Sequence, residues 1–166
     1  MNWLITGGCG FIGRSLVRHL TENAGHYIRI VDNFTVGSAR DLGEVCSYTQ
    51  ADYNKCSASQ GKVELVEADI LDESKADALC RNIDVIVHLA ANTGVGPSVD
   101  NPRYDCLNNV IGTFNYLEAA RNNGVNRFVF ASSGAPAGEC EPPIHEELPP
   151  HPVSPYGASK LAGEGY

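Results

Sequence analysis

Short, nearly unbroken apolar runs recur along this chain with helical patterns between them, and that rhythm leaves few architectures open. Trp3–Ile5, Tyr27–Val31, Val63–Glu67, Val85–Leu89 and Phe128–Ala131 read as strands. Helices fit Phe11 to Thr21, where Ile12, Leu16, Val17 and Leu20 form one stripe, then Glu73 to Arg81, Cys106 to Asn122, and a last stretch from Pro155. Strands that are apolar throughout, rather than alternating, have both faces covered, which is the condition of a parallel sheet between helical layers. The sequence therefore predicts a doubly wound α/β domain with a parallel sheet. Residues 35–61 break the rhythm and predict a polar loop with one short helix. The stretch from Gly134 to Pro155 is dense in proline and predicts a long irregular path, where substrate contacts are expected.

At 166 residues the chain is about one domain, long enough to bury a sizeable core. A net charge of −8 argues against nucleic acid or an anionic membrane as partner. No apolar run reaches the ~18 residues of a membrane span. The first strand is expected to begin at Asn2, which leaves no room for a signal or transit peptide and makes the cytoplasm the expected location. The cysteines at 9, 46, 56, 80, 106 and 140 form no C-x-x-C pair, and no histidine stands at a zinc-ligand spacing from them. They read as reduced thiols acting as small apolar residues, with no metal site.

Gly7, Gly10 and Gly13 follow the first strand directly and open a helix. Such a turn lets backbone approach a pyrophosphate, which then faces helix N–H groups. Asp32 ends the second strand, where a carboxylate accepts from the ribose hydroxyls of an adenosine and repels a 2′-phosphate, favouring NAD over NADP. Asp69, just past the third strand, is placed to reach an adenine edge. At the other end of the chain, Tyr156 and Lys160 are four apart and share a helix face. An ammonium there stabilises a tyrosinate, which makes the pair a candidate for proton abstraction beside a hydride acceptor. Ser133, after the fifth strand, is placed to donate to a substrate oxygen. His88 reads as a core histidine with satisfied nitrogens rather than a general base. Ala90 and Ala91 suggest backbone passing close to a ligand, and Asn108 an amide that bonds backbone near the catalytic group.

With these residues the chain resembles the extended short-chain dehydrogenase/reductases, in the NAD-dependent sugar epimerase/dehydratase family. The resemblance rests on the segments 6–13, Asp32-Asn33, Asp69-Ile70, 88–91, 108–113, 131–133 and 155–160, which run the length of the chain in family order. It implies a Rossmann-like fold and NAD contacts at Gly7, Gly10, Phe11, Ile12, Gly13, Asp32, Asn33, Asp69, Ile70, Leu89, Ala90, Ala91, Asn108, Tyr156 and Lys160. It implies catalysis by Ser133, Tyr156 and Lys160. Tyr156 removes the proton of a sugar 4-hydroxyl while C4 gives hydride to NAD, Ser133 holds the oxygen, and Lys160 supports the tyrosinate and contacts the nicotinamide ribose. Returning the hydride to the other face makes the reaction a 4-epimerisation of a nucleotide sugar, a UDP-sugar by preference, in a homodimeric parent. The family often has Val-Tyr-Gly where this chain has Pro136-Ala137-Gly138, which removes an aromatic. Residues 1–166 are expected to form an incomplete NAD-binding domain without the later strands and substrate-binding domain. Gly134, Ala135 and Pro136 offer no titratable group, which argues against dehydration. A dehydratase, a keto-reductase and an inactive NAD-binding fragment stay open.

Overall fold

A computed structural model describes residues 1–23, 25–59 and 61–166. The first strand, β1 (Asn2–Thr6), sits inside the sheet and pairs in parallel with β2 (Tyr27–Asp32) on one side and β5 (Val85–His88) on the other. Beyond β2 lie β4 (Val63–Glu67) and the two-residue β3 (Thr49–Gln50), and beyond β5 lies β6 (Phe128–Phe130). The order β3-β4-β2-β1-β5-β6 is parallel throughout, as the apolar runs predict. The chain winds outward from β1 in one direction and then crosses back to β5, so the sheet reverses between β1 and β5. That reversal opens a crevice at the carboxyl ends of the strands.

Successive residues of each strand feed opposite layers. Leu4, Tyr27, Val31, Val66 and Ile86 pack with Ala76 and Leu79 of α3 (Glu73–Leu79) and with Tyr116 and Ala119 of a later helix. Ile5, Ile28, Ile30, Leu65 and Val87 pack with Val17 and Leu20 of α1 (Phe11–Glu22) and Leu42 of α2 (Ala39–Gly43). Each fully buried aliphatic side chain of this kind contributes about 1.5–3 kcal/mol. Charge inside the sheet is paired at Arg29 and Glu64: Arg29 donates through Nε to the Tyr27 hydroxyl at 3.0 Å, Tyr27 donates to Glu64, and Lys62 donates to Glu64 at 2.7 Å.

The predicted stripe of α1 needs correction. Val17 and Leu20 are buried, but Ile12 is 63% exposed and Phe11 83% exposed, because the first turn of α1 overhangs the crevice rather than the core. The region 35–61 holds the expected short helix, α2, capped by Ser38 and Asp41 reciprocally, together with β3. Two further elements escape the sequence pattern. Val95–Asp100 forms α4, and the helix predicted from Cys106 begins as α5 (Pro102–Cys106) and passes through a π-helical turn over Leu107–Ile111 into α6 (Gly112–Asn123). The proline-rich stretch carries one 3₁₀ turn, Ala135–Ala137, before α7 (Pro155–Gly165). Ser154 starts α7 by accepting from the Gly157 N–H at 3.0 Å, with Pro155 at the first helical position. All six cysteines are free thiols; Cys9 and Cys80 are buried as small apolar residues, whereas Cys106 and Cys140 are exposed. No helix among the described residues is long and apolar enough to cross a membrane.

Among the described residues β6 pairs with β5 alone and presents Val129 53% exposed on its free side of the sheet. An apolar open edge templates pairing with another strand. The 166-residue chain is therefore expected to self-associate at high concentration, and Val129→Lys to lower the mass seen by light scattering without lowering the melting temperature. Unchanged association in Val129→Lys would show that this edge is not the contact.

Candidate active site

At the end of β1 the chain turns at once, with Gly7 at φ +67° and its N–H donating to the Val31 carbonyl at 2.8 Å. A Cβ on Gly7 would lie 2.8 Å from the Ala90 nitrogen, so both the backbone sign and the close approach require glycine. Gly10 caps α1 without any side-chain bond, leaving the first N–H groups of α1 directed at the crevice. The crevice encloses about 580 Å³ along the carboxyl ends of the strands. Gly7, Gly10, Phe11, Ile12 and Gly13 line one wall; Asp32, Asn33 and Ile70 line the end over β2 and β4. Leu89, Ala90, Ala91 and Asn108 form the middle, with Tyr156 and Lys160 at the far end. Residues separated by 150 positions thus share one cavity, whose size suits a ligand larger than a single sugar.

Asp32 is 8% exposed and holds two loops together. Its Oδ2 accepts from the Cys9 N–H at 2.9 Å, tying the glycine turn, and its Oδ1 accepts from the Phe34 N–H at 2.9 Å. Each oxygen keeps lone-pair capacity toward the crevice. Asp69 is absent from the lining. It accepts from Asn33 Nδ2 at 2.9 Å and from the Leu71 N–H at 2.9 Å, and so acts on the wall through Asn33. Sequence reasoning missed Thr35, Val36 and Gly37, which close over the glycine turn; a Cβ on Gly37 would meet the Cys9 carbonyl at 2.1 Å. A glycine inside a polar insertion was the available signal.

Lys160 is 4% exposed, its Nζ donating to the Ala131 carbonyl at 2.7 Å and lying 4.8 Å from the Phe130 ring and 5.9 Å from the Tyr156 ring. Burial pushes its pKa below the ordinary lysine range, and the charge of Asp105 pulls it back up. Tyr156 is half-buried, and its N–H donates to the Ser98 hydroxyl at 3.1 Å, which in turn donates to the Val95 carbonyl. α4, unforeseen in the sequence, thereby fixes the start of α7. Ser133 is exposed beside the crevice rather than in its lining; its Oγ accepts from the Ala135 N–H at 3.1 Å, which leaves the hydroxyl proton free. Its neighbour Ser132 lines the crevice and donates to Glu164.

His88 is the core histidine that the sequence suggests, and the geometry fixes its tautomer. Thr113 spends its proton on the Asn109 carbonyl at 2.8 Å, so at 3.2 Å it accepts from His88 Nε2. His88 Nδ1 is then the acceptor facing the Thr6 hydroxyl at 2.9 Å, while Thr6 Oγ1 receives the N–H groups of Leu89 and Ala90 at 3.2 Å each. Burial, with Lys160 nearby, pushes its pKa down to about 3, so it stays neutral and holds no place in the lining. Asn108 lines the crevice and bonds backbone as expected, and the next residue carries a wider network. Asn108 donates to the Tyr104 carbonyl of its own helix at 2.9 Å. Asn109 is buried, accepts from the Asn92 N–H at 2.8 Å, and through Nδ2 reaches the Asn92 carbonyl at 2.9 Å, Asp105 Oδ1 at 2.9 Å and Ser159 Oγ at 3.3 Å.

With this geometry in view, comparison with known proteins is specific. The model of the NAD dependent epimerase/dehydratase family matches residues 3–166. The chain is 38% identical to a UDP-glucose 4-epimerase of Mycolicibacterium smegmatis over 100% of its own length and 50% of that protein. The UDP-glucose 4-epimerase of Thermus thermophilus in complex with NAD superposes with a TM-score of 0.83 at 34% identity, over 100% of this chain and 49% of that one. The dTDP-glucose 4,6-dehydratase DesIV of Streptomyces venezuelae, also solved with NAD, gives a TM-score of 0.83 at 31% identity, over 99% of this chain and 49% of that one. The chain spans about half the length of the relatives it matches.

Because the folded protein holds His88 neutral while the unfolded chain protonates it near 6.5, stability is intact above that pH and falls as pH drops toward 3. His88 alone sets a slope of at most ~1.4 kcal/mol per pH unit in that window. His88→Gln is expected to be less stable at neutral pH yet to lose less stability on acidification. Denaturant melts from pH 7 to 4 check this; an unchanged acid slope would assign the loss to other groups.

Proposed function

The chain belongs to the NAD dependent epimerase/dehydratase family, and from that premise we propose that it is the NAD-binding half of a nucleotide-sugar 4-epimerase acting by transient oxidation at C4. Residues 1–166 then form the NAD-binding domain, and a substrate-binding domain lies outside them. The observation that carries the reading is the meeting, in one crevice, of the glycine turn and Asp32 at one end with Tyr156 and buried Lys160 at the other.

The residues present suit a dinucleotide. Uncapped N–H groups of α1 and the bare backbone of Gly7 and Gly10 would hold the pyrophosphate, Asp32 the adenosine ribose, and Asn33 with Asp69 the adenine side. Phe11 and Ile12, exposed in the crevice wall, would be covered by it. Leu89, Ala90 and Ala91 offer a flat, side-chain-poor floor, and Lys160 a donor for the second ribose. When bound, NAD supplies a reversible hydride acceptor for a sugar carbon that bears a hydroxyl.

The rest is proton management by the chain itself. Tyr156 takes the hydroxyl proton, and the Lys160 ammonium on the same helix face stabilises the phenolate so formed. Phe130 and the Ala131 carbonyl keep that ammonium in place and away from water. Ser133, with its proton free, donates to the substrate oxygen as charge develops. The turn at Gly134, Ala135 and Pro136 brings no acid or base of its own, which favours epimerisation over dehydration. On this reading a UDP-sugar is the substrate and the parent a homodimer, its contact face drawn from Leu107, Ile111 and Phe114, which are exposed along the α5–α6 helix. Product analysis of the longer protein with UDP-glucose tests the assignment: the C4 epimer supports it, and a 4-keto-6-deoxy product would make it a dehydratase.

Binding should favour NAD over NADP, because a 2′-phosphate would meet the Asp32 carboxylate. Asp32→Ala is expected to weaken both cofactors, since Asp32 also ties the glycine turn, while narrowing the gap between them in isothermal titration. Tighter NADP binding by the wild-type chain would contradict this.

Tyr156→Phe keeps the ring and loses the proton acceptor, so NAD binding should survive while turnover of the longer protein falls about a hundredfold to ten-thousandfold. Lys160→Ala should move the pH optimum upward, and the double variant should lose little beyond Tyr156→Phe, both residues serving one proton transfer. Near-normal turnover in Tyr156→Phe would remove this tyrosine from the mechanism.

A further inference from the structure

Asp105 closes α5 at 1% exposure, a carboxylate that none of the roles above uses. Its Oδ1 accepts from Asn109 Nδ2 at 2.9 Å and from Asn92 Nδ2 at 3.2 Å. Its Oδ2 is buried and meets no donor among the described residues. Such an oxygen is costly unless a cation stands near it. The buried cation of the neighbouring helix is Lys160: α7 packs against α5, the charge of Asp105 acts on it, and among the described residues its three-donor ammonium has one acceptor, the Ala131 carbonyl. The amide of Asn109 joins the two sides, reaching Asp105 Oδ1 and the hydroxyl of Ser159, the residue before Lys160.

We propose that Asp105 is a positioning residue for the proposed reaction, its buried carboxylate serving as the countercharge that keeps Lys160 protonated beside Tyr156. The role in catalysis rests on the reading given above; the pairing of the two charges does not. The groups that face Lys160 can be named from each neighbouring element. From β5 comes His88, held neutral, and from the end of β6 the Phe130 ring and the Ala131 carbonyl. On its own helix Tyr156 lies one turn before, and Glu164 one turn after, exposed and engaged by Ser132. Asp105, from α5, is the anion on the buried side, and its charge opposes the burial that would strip the lysine of its proton. The coupling runs through space and the amide bridge rather than through a direct ion pair.

The chain has four lysines, Lys55, Lys62, Lys75 and Lys160, so side-chain NMR titration reads Lys160 directly, with Lys160→Met assigning its signal. In Asp105→Asn the Lys160 midpoint is expected to fall by ~1 pH unit while the other three stay in place. Asn92→Ala removes an amide donor but keeps the carboxylate, and is expected to leave Lys160 near its wild-type midpoint. A Lys160 midpoint unmoved by Asp105→Asn, or moved equally by Asn92→Ala, would overturn the proposal. Coupling is reciprocal, so if Asp105→Asn does not fold, the Asp105 carboxyl signal in Lys160→Met decides. A midpoint raised to a similar extent upholds the pairing, and one that does not move overturns it. These titrations need neither cofactor nor sugar. A coupled Lys160 in a protein that fails to epimerise would sink the proposed function alone, whereas an uncoupled Lys160 in an active epimerase would sink the role of Asp105 alone.

Discussion

The Thr6 hydroxyl, at the last residue of β1, is the contact on which the crevice depends. It receives the N–H groups of Leu89 and Ala90, where the chain leaves β5, and gives its proton to His88. One side chain thus fastens together the two strands between which the sheet reverses. Gly7 turns immediately above it, close enough to Ala90 that any side chain would force the strands apart. Move Thr6, and the floor of the crevice and the glycine turn move with it. The neutral tautomer of His88 follows from the same arrangement, since a second ring proton would find Thr6 Oγ1 already supplied with donors.

Polar groups are spent unevenly in this fold. At the amino ends of the strands Arg29, Tyr27, Glu64 and Lys62 neutralise one another in a closed chain. Among the described residues, the carboxyl ends carry an uncapped helix start, a lysine with one acceptor and a carboxylate with one oxygen unmet, while Trp3 Nε1 and His26 Nδ1 lie unmet at the amino ends. Unsatisfied buried polar atoms lower stability, and those beside a crevice are the ones a ligand or a reaction can use.

The parallel sheet was legible because apolar runs of strand length recur with helical stripes between them, and each predicted strand is found within a residue or so of its expected bounds. That the glycine turn, Asp32, Tyr156 and Lys160 share one crevice was legible as well, because the turn and Asp32 stand at strand ends on the same edge of the sheet and Tyr156 and Lys160 share a helix face. What stayed hidden is set by tertiary contact. Asn109 and Asn108 are indistinguishable in sequence, and only packing against Asn92 and Ser159 makes Asn109 the one that bridges to α7. Ile12 fits the core stripe by spacing, yet it projects into the crevice because α1 begins beyond the edge of the sheet. α4 has six residues containing a glycine and a proline, and is held by Ser98 rather than by any propensity of its own.

The π-helical turn at Leu107–Ile111 gives this segment an unusual relation to changes in chain length. Removing one residue there would restore regular α-helical bonding, a gain in local order. It would also rotate everything before the deletion by about 100° relative to everything after it. Asp105 would swing out of the wall it shares with α7, while Thr113 and Tyr116 kept their places against His88. A gap of a single position in this helix, which looks innocuous in a pairwise alignment, would therefore exchange one buried surface for another.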